Sequence, residues 1–109
     1  MTTSAPLETD ELLVALDRLG DTLTRVRRAA GQGLAPEVDR ELQAHLRSLR
    51  ATLGTDGGTL IEDVVDAARR VLEAADPSAP LKVLAMSEHT LTALVQRQRS
   101  LANTLPSAA

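Results

Sequence analysis

Leucine and valine recur along this chain at helical intervals. Between Thr9 and Ala30 the apolar residues Leu12, Leu16, Leu19, Leu23, Val26 and Ala30 are spaced by alternating fours and threes. That rhythm keeps one narrow stripe of a helix facing a partner helix. Such a stripe is unstable in water, so later segments or a second copy of the chain must cover it. Thr9 is placed to cap this helix, with Asp10 and Glu11 in its first turn and Arg25, Arg27 and Arg28 in its last. The charges oppose the helix dipole at both ends. Asp21 and Arg25 are spaced for an exposed pair. Gly31 and Gly33 supply a left-handed stop.

Pro36 opens a second helix that runs to about Leu53, with Val38, Leu42, Leu46, Leu49 and Leu53 on its apolar face. Gly54, Thr55, Asp56, Gly57 and Gly58 read as a loop. Thr59 and Glu62 then form a capping box for a third helix. This helix carries Leu60, Ile61, Val64, Val65, Ala68, Val71, Leu72 and Ala75. Its apolar face is wide enough to touch two neighbours, and Asp66–Arg70 and Arg69–Glu73 are spaced for outer-face pairs. Asp76 to Pro80 separates it from a fourth helix, about Pro80 to Leu105. The fourth seam reads Leu84, Ser87, Leu91, Leu94, Gln98, Leu101 and Leu105, with Ser87, neighbouring Glu88 and Gln98 interrupting it.

Short connections favour antiparallel neighbours. The expected fold is all-α, an antiparallel four-helix bundle made of two helical hairpins, complete in one chain or completed by dimerisation. One domain spans 9–105, between a frayed lead at 1–8 and a frayed tail at 106–109.

Composition agrees with helices. The 109 residues include no Phe, Tyr or Trp, so the core is aliphatic, where a strand-rich core would favour aromatic and β-branched side chains. Absence of aromatics also removes the stacking platforms on which single-stranded nucleic acids rest. Fifteen acids against twelve bases give a net charge of −3, divided evenly along the chain. No segment is basic enough for nucleic acid or an anionic membrane surface. No Cys is present, which excludes disulfides and thiolate chemistry. Neither a signal peptide nor a membrane span is evident, so a soluble cytoplasmic protein is expected.

Catalytic candidates are few. His45 lies one turn beyond Glu41, a spacing at which both side chains share a face, but neither it nor His89 has the Glu-x-x-His arrangement of bundle di-iron sites. An ordinary boundary histidine is expected. Glu62 and Asp63, four and three residues before Asp66, each share a helix face with it, and the three are the candidate Mg²⁺ ligands. With Glu8 and Glu11 as a second spaced pair, these five residues resemble the paired acidic motifs of all-α nucleotide pyrophosphatases. That resemblance implies a Mg²⁺-dependent enzyme acting on a nucleotide or another phosphorylated substrate. A solvated helix N-terminus explains the acids as well. The glycine run 54–58 lacks the strand and the Lys of a phosphate-binding loop, and helices two and three would present acids to DNA. Arg27, Arg28 and Arg40 are a candidate anion-binding cluster at one end of the bundle.

The polar breaks in helix four suggest a face that pairs with another protein or a second copy, with Leu91, Val95, Gln98 and Leu101 as contact residues. The expected function is therefore a non-enzymatic interaction module, adaptor or regulatory subunit, without cofactor and self-associating as a homodimer. The competing expectation is the small all-α enzyme.

Overall fold

The computed structural model describes residues 4–104, with side chains over 11–101 apart from Asp56. Every regular element among these residues is helical: α1 is Ser4–Arg28, α2 is Pro36–Glu73 and α3 is Ser78–Thr104. Gly54 alone leaves helical geometry inside α2, at φ 79° and ψ −160°. Only glycine occupies that backbone region without strain. The single residue folds α2 back on itself into a first arm, 36–53, and a second arm, 55–73. Ion pairs Asp39–Arg69 and Arg50–Glu62 join the arms, residues that a straight helix would hold about 45 and about 18 Å apart. The described residues thus form an all-helical bundle of four rods.

The expected loop at 54–58 is reduced to its first residue. Gly57 and Gly58 are helical and buried, because each clears space for the other arm. A Cβ on Gly57 would lie 2.2 Å from Leu53 Cβ, and one on Gly58 would lie 3.3 Å from Arg50 Cγ. Thr59 does not cap a helix, since its hydroxyl bonds back to the Thr55 carbonyl at 3.5 Å inside the second arm. The start of α1 also departs from expectation. Residues 4–8 are helical and Thr9 is interior, so the acids Asp10 and Glu11 lie beyond the first turn. Pro6 permits this because amides of the first turn have no helical acceptor to lose. The side chain of Glu8 and residues 105–109, including Leu105 and Pro106, lie outside the described residues.

The α1–α2 connection finishes two helices at once. Gly31 and Gly33 take φ values of 79° and 99°. Their amides donate to the Val71 and Leu72 carbonyls at 2.9 and 2.8 Å, satisfying acceptors that the last turn of α2 leaves open. At the other junction, Asp76 accepts from the Ser78 amide and hydroxyl at 3.2 and 2.5 Å, fastening the start of α3. These bonds hold the Asp76 carboxyl below the usual carboxylate range.

Leu19, Leu23 and Val26 of α1, Leu42 and Leu49 of the first arm, Ile61, Val64 and Val71 of the second, and Leu84, Leu91 and Val95 of α3 fill the core. Each such side chain contributes about 1.5–3 kcal/mol when fully buried. α3 runs unbroken through Ser87 and Glu88. With 27 residues it outruns the second arm, so by helix rise its last two turns project past the Gly54 bend. The long axis of the molecule is 55 Å. No described helix is long and apolar enough to cross a membrane.

Candidate functional site

His45 stands on the first arm opposite α1. Its Nε2 lies 2.9 Å from the hydroxyl of Thr22, which at 3% exposure is the one polar side chain sunk into the core among the described residues. Arg25 donates to the same hydroxyl at 3.3 Å and to Glu41 Oε1 at 2.5 Å. Arg25 therefore does not take up its expected pairing with Asp21. Burial lowers the His45 pKa foremost, Glu41 raises it, and Arg25 and Arg18 lower it further. A neutral imidazole accepting from Thr22 completes the network. Glu41 and His45 are thus each engaged by α1 side chains.

The acidic triplet is dispersed. Glu62 turns toward the first arm and pairs with Arg50 beside the Gly54 bend. Asp66 pairs with Arg70 at 3.1 Å, as its spacing indicates. Arg69 reaches Asp39 at 2.8 Å rather than Glu73, because the folded α2 brings the first arm within reach. No group of three or more metal-ligating side chains converges among the described residues. Asp63 and Asp66 instead form the acidic edge of a groove of about 370 Å³ between the second arm and α3, closed by Arg70, Pro80, Val83 and Ser87.

Of the three candidate arginines, one is engaged across the bundle. Arg27 pairs with Glu88 of α3, which explains a polar residue near the fourth seam: Glu88 ties α3 to α1. Arg28 and Arg40 are exposed.

The expected contact face on α3 needs correction. Leu91 and Val95 are fully buried in the chain's own core, since the seam they belong to is the one α3 packs inward. Gln98 is half-buried and Leu101 is 58% exposed. The exposed apolar residues missed by the seam pattern are Val83 at 51% and Met86 at 70%. They lie on a different stripe of α3, readable as a second heptad rhythm but hidden behind the stronger leucine pattern. The chain matches no known protein-family model, no curated protein and no solved structure.

Proposed function

We propose that this protein is a non-enzymatic helical interaction module, an adaptor or regulatory subunit that associates with a second copy of itself through the outward side of α3. The observation that carries this reading is the uneven exposure of large apolar side chains. Of the four among the described residues, Val14 is on α1, whereas Val83, Met86 and Leu101 are all on α3. Single exposed apolar residues are ordinary, but their concentration on one helix favours an interface. The acids and histidine that could serve catalysis are largely engaged within the chain, Glu62 and Asp66 by arginines and His45 by Thr22.

Light scattering after size-exclusion chromatography, with refractive-index detection because the chain lacks aromatic absorbance, tests the reading. A dimer that Met86→Asp converts to monomer supports it. A monomer at every concentration overturns self-association. A rise in melting temperature with Mg²⁺ and a nucleoside triphosphate would replace it with the enzymatic reading, since ligands of the native state stabilise it.

A further inference from the structure

We infer that α3 pairs antiparallel with the α3 of a second copy about a two-fold axis at Thr90, with Arg97 of each protomer set on the Asp63–Asp66 edge of the other; this rests on the self-association proposed above. Ala79, Val83, Met86, Thr90, Arg97 and Leu101 are all exposed and follow one another at intervals of four, three, four, seven and four. This is a helical stripe about a third of a turn round α3 from its buried Leu84, Leu91 and Val95. A helix with two such stripes packs one inward and has a second available for another helix.

The centre of the stripe suits close approach. The Thr90 hydroxyl donates to the Met86 carbonyl at 3.0 Å, so its polar group is satisfied within the helix and its methyl is left to face a neighbour. Thr90 is also the midpoint between Val83 and Arg97 and between Ala79 and Leu101. An isologous antiparallel pair centred there brings each member of these couples onto the other.

Charge selects this orientation. The groove flanking Val83 carries Asp63 and Asp66 on its rim, Asp66 being paired with Arg70 of the same rim, while Arg97 lies at the far end of the same stripe, where the second arm has ended. Antiparallel pairing places the partner's Arg97 at Val83, beside Asp63 and the Asp66–Arg70 pair, and the partner's Leu101 over Ala79 and Pro80. Parallel pairing would place acids against acids and Arg97 against its copy. The helix dipoles favour the antiparallel arrangement as well.

The chain has no cysteine, so single Cys variants report the geometry directly. Mild oxidation of Thr90→Cys should give a covalent dimer, whereas Val83→Cys should not link to itself. A disulfide needs Cα atoms within about 7 Å, which only a residue at the axis satisfies. Arg97→Glu should weaken the dimer by about tenfold or more, and adding Asp63→Arg and Asp66→Arg should restore it. Circular dichroism of each variant establishes that it folds. A dimer in which Val83→Cys links to itself, or which Arg97→Glu leaves unchanged, overturns this pairing while self-association stands. A monomer at every concentration overturns both.

Discussion

Asp39 and Arg69 are thirty residues apart in the chain, yet Asp39 Oδ1 accepts from Arg69 Nε at 2.9 Å. The two residues sit near opposite ends of α2, so their contact measures how completely Gly54 reverses the helix. The pair itself is half-exposed and contributes at most about 1 kcal/mol. What matters is the backbone that makes it possible.

Gly54→Ala is accordingly expected to destabilise the protein by about 1–3 kcal/mol, the strain of a Cβ in that backbone region. Gly57→Ala should destabilise it too, because the new methyl would overlap Leu53. Urea unfolding followed by far-UV circular dichroism checks both. Arg69→Ala, measured alongside, should have a smaller effect than Gly54→Ala.

Leu91→Ala should lower stability by about 2–5 kcal/mol through the cavity it leaves in the core. Met86→Ala removes a side chain already 70% exposed and should leave the unfolding free energy of the monomer nearly unchanged. If the outward stripe mediates assembly, light scattering should show the reverse ranking for the dimer measured at fixed folded concentration.

The His45 network gives a pH dependence with a definite sign. Burial lowers the folded pKa of His45, so the unfolded chain binds its proton first as pH falls. Stability from this group is fully present above about 6.5 and is lost as pH drops through the folded value. His45→Leu should flatten that part of the stability profile, measured as urea midpoint against pH.

Asp76 behaves in the same direction at lower pH. Its bonds to Ser78 lower its folded pKa, so its contribution is present above the unfolded carboxylate value and declines as pH falls through the folded one. Asp76→Ala should reduce the acid-side slope of thermal stability and loosen the start of α3, detectable as faster amide exchange there.

Leucine spacing made the helices and their inward faces legible, because burial in a bundle follows a period that sequence carries openly. Leu19, Leu42, Leu49, Val64 and Leu84 all lie where that spacing places them. The one-residue bend was not legible. Five consecutive loop-forming residues at 54–58 imply a longer connection, and only the close approach of Leu53 to Gly57 and of Arg50 to Gly58 shows why two glycines belong inside a helix. The ion pairs across the bundle were equally hidden, since Arg25 and Arg69 prefer partners on another rod to those one turn away, whereas Asp66–Arg70 forms where its spacing places it. At the candidate site, Leu91 and Val95 share helix α3 with Met86, and only packing decides which stripe turns inward.

A bend of one residue also divides the molecule into two halves, α1 with the first arm and the second arm with α3. Were Gly54 to adopt helical angles, α2 would become one straight rod and those halves would separate. Each could then dock onto the complementary half of another chain, rebuilding the same core from two polypeptides. The geometry of a single glycine thus lets the bundle close within one chain.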